Sequence, residues 1–351
     1  MFRRASARIG LFFAFVLFFC TEFFGAESTP AIRMCPDSSL YQYRGVADHT
    51  YLPVRSYGIT ESQPALQSET WSWQMFPDGH IYPNYLAAIQ NRLACSWNYD
   101  PDIDWNWDIT LGGRSPILRY GNRSAIFPEG WQIDLEGSVH LRLALMNQMD
   151  MEANDFRVGL PVSYGTKIWQ IRMGYYHVST HTGDERMLRY FGEPNAEGNI
   201  VVQGDPAYSN KSTYKNNESH RVHRLNYYRE ALLFGYAYKP TPNTRVYAEL
   251  DYAFMRGELT KPFHFQFGGE YSPVYPAREE WGTPFLAVNI RLMEEHDFDG
   301  NFTLQTGWQW RGARNQLFRL GIQYFNGVSD QYSFLIHKRE HKVGLGIWHD
   351  F

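Results

Sequence analysis

From about residue 100 to the end of the chain, apolar and polar residues alternate one for one. Trp131, Ile133, Leu135, Gly137, Val139, Leu141, Leu143 and Leu145 share one face, against Gln132, Asp134, Glu136, Ser138, His140 and Arg142. The same period of two recurs at Phe156–Tyr164, Val246–Phe254, Phe302–Trp310 and Phe318–Tyr324. Side chains of an extended chain point alternately to its two faces, so these segments predict amphipathic strands. Several run well beyond the five or six residues usual in a soluble sandwich. Their apolar faces end in Trp or Tyr, as the girdles of a membrane barrel do.

The predicted strands are Ile103–Leu111, Ser115–Gly121, Trp131–Leu145, Phe156–Tyr164, Lys167–Thr180, Arg224–Lys239, Arg245–Arg256, Phe263–Tyr271, Pro284–Glu294, Asp299–Arg311, Gln316–Phe325 and one or two from Gln331 to Phe351. That is an all-β chain, a transmembrane antiparallel β-barrel of about 12 strands. Short connections at Tyr164–Lys167 and Lys239–Thr244 fit periplasmic turns, and the long Thr182–His223 fits an extracellular loop.

Composition supports this. Aromatic residues make up 17% of the chain, yet its mean hydropathy is −0.46, as expected where one face meets lipid and the other a polar lumen. A formal net charge of −4 leaves no basic footprint for nucleic acid. At the N-terminus, Arg3, Arg4 and Arg8 precede an apolar run from Ile9 to Cys20 and a small-residue site at Ala26-Glu27-Ser28, which reads as a signal peptide over 1–28. Residues 29–100 follow as a periplasmic extension or a plug, with a short helical candidate at Asn84–Leu93, and 101–351 form the barrel. Cys35 and Cys95 remain after cleavage and, in an oxidising compartment, are available to pair. The chain closes Val343-Gly344-Leu345-Gly346-Ile347-Trp348-His349-Asp350-Phe351, similar to the C-terminal signal that outer-membrane barrels present to their assembly machinery. The expected location is the bacterial outer membrane.

Phe76-Pro77-Asp78-Gly79-His80-Ile81-Tyr82-Pro83, Val158-Gly159-Leu160-Pro161, the string Tyr176 to Glu185, Phe267-Gly268-Gly269-Glu270-Tyr271 and the closing Gly344 to Phe351 resemble domain-of-unknown-function family 1207, from about Phe76 to the C-terminus. The resemblance implies an exported bacterial membrane protein and assigns no activity. Chemistry is sought in the string itself. His177 and Ser179 lie two apart on the outward face of their strand, so an imidazole can serve a neighbouring hydroxyl as general base. Pairing that aligns Lys167 with about Pro240 sets His177 opposite Glu230 and Ser179 opposite Tyr228, so Glu230, or Asn226, is available to orient the ring. This arrangement is similar to outer-membrane phospholipase A and lipid A 3-O-deacylase.

It predicts a serine esterase acting on outer-membrane lipids, phospholipid or lipid A. The competing readings are a porin or transporter, or a structural barrel whose polar residues merely sit in the headgroup layer. Asp134, Glu136, His140, Arg142, Arg172, Arg229, Glu249, Asp251, Glu270, Arg291 and Arg319 point inward, and their mixed signs favour a salt-bridged lumen over a selective pore. Asp184 and Glu185 lack the spacing of a calcium loop, and neither a metal nor a cofactor is expected.

Overall fold

The computed structural model describes residues 70–102, 104–183, 227–257, 260–274, 281–334 and 339–351. The expected signal peptide, Cys35, Asp184, Glu185, Asn226 and most of the loop before it lie outside the described residues.

The strands are β1 (Ser72–Met75), β2 (Leu93–Asp100), β3 (Asp104–Gly121), β4 (Gly130–Ala144), β5 (Asp150–Gly165), β6 (Trp169–Thr182), β7 (Tyr228–Thr241), β8 (Thr244–Arg256), β9 (Phe263–Tyr271), β10 (Thr283–Met293), β11 (Gly300–Arg311), β12 (Leu317–Val328) and β13 (Arg339–Asp350). Neighbours in sequence pair antiparallel from β2 to β13, and β13 pairs back to β2, closing a barrel of twelve. The short β1 lies outside that ring, on the end of β3.

Two boundaries differ from the alternation reading. Ile103–Leu111 and Ser115–Gly121 belong to one strand, because Gly112 and Gly113 sit in the ladder opposite Ser138 and Gly137 instead of turning. The wall also begins earlier, at Leu93. Cys95, Trp97 and Tyr99 continue its alternation and pair with Ile347, Leu345 and Val343. One merged strand and one added strand leave the count at twelve. Cys95 is a free, buried thiol in that first wall strand.

The two faces of the wall separate as the alternation requires. Leu160, Leu232, Phe254, Ile322 and Leu345 are half exposed or more on the outside, while Arg119, Arg142, Arg172, Arg229 and Arg319 are almost wholly buried inside. Strands β4, β5 and β6 run for 15, 16 and 14 residues, more than the ~9–11 needed to cross a bilayer. At the short-turn end, outward rings form a connected belt. Trp73 meets Tyr120 at 5.0 Å, Trp131 meets Tyr164 at 4.7 Å, and Tyr164 meets Trp169 at 5.3 Å.

The segment between β1 and β2 enters the lumen. No helix forms at Asn84–Leu93. The carbonyls that a helix would turn onto its own amides are taken by guanidinium groups instead. Arg114 donates to Tyr82 O at 2.7 Å, and Arg245 donates to Pro83 O and Asn84 O at 2.9 and 2.7 Å. Arg92 donates to Tyr85 O, and both Arg92 and Arg319 to Leu86 O, at 3.0 and 3.2 Å. Five consecutive carbonyls are therefore held by arginine. The wall residues Arg114, Arg245 and Arg319 are in turn paired with Asp134, Glu270 and Asp350. Beneath this grip Leu86 and Ala87 pack on the inward Phe285, Ala287, Leu317 and Trp348.

Nearer the long-loop end a second buried network joins Arg142 to Asp108 at 2.6 Å and to Asp330 at 2.7 Å, with Lys342 3.0 Å from Glu340. Outside the strands, Glu295 is partly buried, which raises its carboxyl. Hydrogen bonding to His264 and the charge of Arg229 outweigh this and hold it at about 2.

Replacing Arg245 by Met strips donors from two plug carbonyls and leaves Glu270 without its ion partner. Removing one member of a buried pair costs about 3–5 kcal/mol, so urea unfolding in detergent micelles is expected to show a loss of that order. An unchanged midpoint would mean that the plug is not held in this way.

Candidate active site on the outer wall

Strands β6 and β7 meet in the register that sets Trp169 against Tyr238, His177 against Glu230 and Ser179 against Tyr228. The last two pairs are those expected from aligning Lys167 with about Pro240, and both lie on the outside of the barrel. Their neighbours on the same faces, Met173, Tyr175, Leu232 and Phe234, are largely exposed, while Tyr176, Val178, Ala231 and Leu233 are buried in the lumen.

His177 Nδ1 lies 2.7 Å from Glu230 Oε1. An ionised carboxylate only accepts, so the hydrogen rests on Nδ1 and leaves the Nε2 lone pair free. The other oxygen, Glu230 Oε2, accepts from the Tyr175 hydroxyl. Both carboxylate oxygens are thus fixed, one by the imidazole and one by a phenol two residues earlier on the same face. The side chains of His177 and Glu230 are 32% and 21% exposed, open enough to be reached from outside.

Ser179 follows His177 by two residues, about 6.6 Å along an extended strand. Among the described residues its hydroxyl has no hydrogen-bond partner, and it is flanked by Phe156 on β5 and Tyr228 on β7. The Phe156 ring carries His181 edge-on at 5.8 Å. The hydroxyl and the imidazole share a face without sharing a hydrogen bond among the described residues. Asn226, the alternative orienting residue, lies outside the described residues. Tyr175 was not foreseen, although its place on the same outward face, two positions before His177, was visible in the sequence.

All the charged residues expected to face the lumen do so. His140 joins Thr110 at 2.9 Å, Arg172 joins Glu249 at 2.5 Å, and Tyr85 OH donates to Glu249 at 3.1 Å. Within the lumen a cavity of about 100 Å³ remains, lined by Arg92, His140, Asp251 and Arg291 among others.

A closed antiparallel barrel with an apolar belted exterior and a polar filled interior defines a membrane-spanning β-barrel of outer-membrane type. Residues 213–351 match the family described as "Protein of unknown function (DUF1207)". The matched stretch starts after the His177–Ser179 strand and is shorter than the resemblance from Phe76 suggested. No curated protein matches the chain.

Among solved structures the chain is similar to outer membrane phospholipase A from Escherichia coli, at 12% identity over 76% of this chain and 91% of that one, TM-score 0.43. It is also similar to LpxR from Salmonella typhimurium (10%, 74% and 99%, 0.32) and to the KdgM porin (11%, 74% and 99%, 0.37).

Glu230 should hold His177 in one tautomer. In nitrogen-15 spectra of the barrel in lipid discs, wild-type His177 is expected to show Nδ1 protonated, and Glu230→Ala to show both tautomers in exchange. Identical spectra would remove Glu230 from the orienting role.

Proposed function

We propose that this chain is a bacterial outer-membrane barrel that hydrolyses an acyl ester of an outer-membrane lipid, phospholipid or lipid A, from its lipid-facing wall. The observation that carries the proposal is the Glu230–His177 pair at 2.7 Å beside Ser179 on the outer face. A carboxylate there is unfavourable unless the site lies near a membrane interface and the charge is paired. His177 stands eight residues into β6, about 20 Å above its short-turn end for a typical strand tilt, near the upper edge of a ~25 Å apolar band. That is the depth at which ester linkages of an outer-leaflet lipid meet the wall.

In this mechanism Ser179 Oγ attacks the ester carbonyl as His177 Nε2 takes its proton. The bond to the alcohol breaks, and the departing oxygen receives that proton from His177. Water then attacks the acyl-serine with His177 again as base, releasing the fatty acid and restoring Ser179. Glu230 stabilises the imidazolium in each half, and Tyr175 keeps Glu230 in place.

The pore reading is disfavoured by the arginine-held segment and the paired charges that occupy the lumen. A purely structural barrel gives no reason for an oriented imidazole beside an unengaged hydroxyl on the outside. For assembly, the outward Val343, Leu345, Ile347 and Phe351 support recognition of the last strand by the barrel-assembly machinery.

Ser179→Ala and His177→Ala are each expected to lower hydrolysis of labelled phospholipid or lipid A on the order of 10⁴-fold with the barrel still folded. Undiminished hydrolysis in both would end the assignment. In planar bilayers the intact protein is expected to give no stepwise current, and a variant lacking residues 77–91 to give one; steps from the intact protein would favour the porin.

A further inference from the structure

The site lies in a row of outward positions that crosses the wall along the ladder. Gly113 on β3 pairs with Gly137 on β4, Gly137 with Val158 on β5, Val158 with His177 on β6, and His177 with Glu230 on β7. Two of these positions have no side chain and stand directly opposite each other. The rows on either side carry bulk: Leu111, Val139 and Phe156 above, Ser115, Leu135 and Leu160 below. The result is a hollow of about 670 Å³ whose lining includes Phe76, Gly113, Leu135, Gly137, Val158 and Phe351. That volume falls within the ~300–1,000 Å³ of sites that hold a small molecule.

The hollow and the candidate nucleophile are adjacent. Val158 belongs to the lining and is the direct ladder partner of His177, and Gly137 is two strands from His177, about 10 Å at the usual strand spacing. Ladder rows start at the short-turn end on β3 to β6, through Gly121, Gly130, Gly165 and Gln170. From His177 back to Gly113 the row stays level with these turns and crosses the outward face of β5, β4 and β3.

We infer that this glycine-floored hollow is the seat of the substrate's acyl chain, and that the substrate class is a long-chain acyl ester whose carbonyl lies at Ser179 and whose tail runs over Val158, Gly137 and Gly113 toward Phe351. The inference rests on the assignment of Ser179 as nucleophile. Its occupant follows from a lining that is apolar at Phe76, Leu135, Val158 and Phe351, with Asp78, His80, Arg314 and Gln316 also bordering it, from a floor without side chains, and from a position on the face that the proposed location exposes to acyl chains. A bare hollow there would forfeit van der Waals contact with any straight chain passing over it. Phe351 closes the far end, its ring standing 3.0 Å from where a Cβ on Gly113 would sit. The C-terminal aromatic residue thus has a second use, as the stop of the seat.

Gly137→Leu fills the floor without disturbing the wall, because the nearest atom to an added Cβ is the Arg157 carbonyl oxygen at 3.6 Å, an ordinary contact. With p-nitrophenyl palmitate the variant is expected to lose on the order of tenfold or more in kcat/KM, mainly through KM, while p-nitrophenyl butyrate is hydrolysed as by wild type. Equal losses on both esters, or none, would overturn the seat. A second readout is independent of turnover. A phospholipid with a diazirine in its palmitoyl chain, in vesicles bearing the Ser179→Ala barrel, is expected to label Leu135 and Val158, and Gly137→Leu to remove most of that label. Labelling spread evenly around the barrel would overturn the seat. Wild-type protein that hydrolyses neither ester while labelling stays focused would overturn the hydrolase reading and leave the seat standing as a lipid-binding site.

Discussion

The structure depends on how the inward polar face of the wall is satisfied. A barrel with an apolar exterior sends most charged side chains of its strands inside, where water is scarce and an unpaired charge is costly. Arginine resolves much of this because its fork reaches two partners at once. On one side it meets a wall carboxylate, as Arg245 meets Glu270, and on the other a backbone carbonyl of the entering segment, as Arg245 meets Asn84. The plug is thus part of the wall's electrostatics, and the lumen cannot be emptied without stranding the charges that line it.

With the interior committed in this way, the chemistry that we propose lies on the exterior. There the Glu230–His177 pair is an exception to the rule that the outer face is apolar, and both of its carboxylate oxygens are engaged. In our proposal the row that carries His177 also supplies a place for the part of the substrate that does not react. The same period of two that builds the barrel sets His177, Ser179 and the glycine floor on one surface. A slip of one residue in β6 would turn His177 and Ser179 into the lumen.

Much of this was legible from alternation alone. Alternation placed His177 and Glu230 on the outward faces of β6 and β7, and their direct pairing is one of the registers that this parity allows. What alternation missed was decided by partners distant in sequence. Leu93–Asp100 is too short to stand out before its pairing with β13 is known. Gly112-Gly113 looks like a turn until Gly137 and Ser138 are found opposite. The helical pattern at Asn84–Leu93 lost to guanidinium groups from β3, β8 and β12, which no local propensity records. The hollow was hidden for the same reason, since it is made by two glycines from different strands.

The most direct test of the central claim is reaction of the membrane-embedded barrel with a fluorophosphonate probe, followed by peptide mapping. The account predicts one adduct, on Ser179, that disappears when His177 is replaced by Ala. A folded barrel that takes no label, or takes it on another serine regardless of His177, would contradict it.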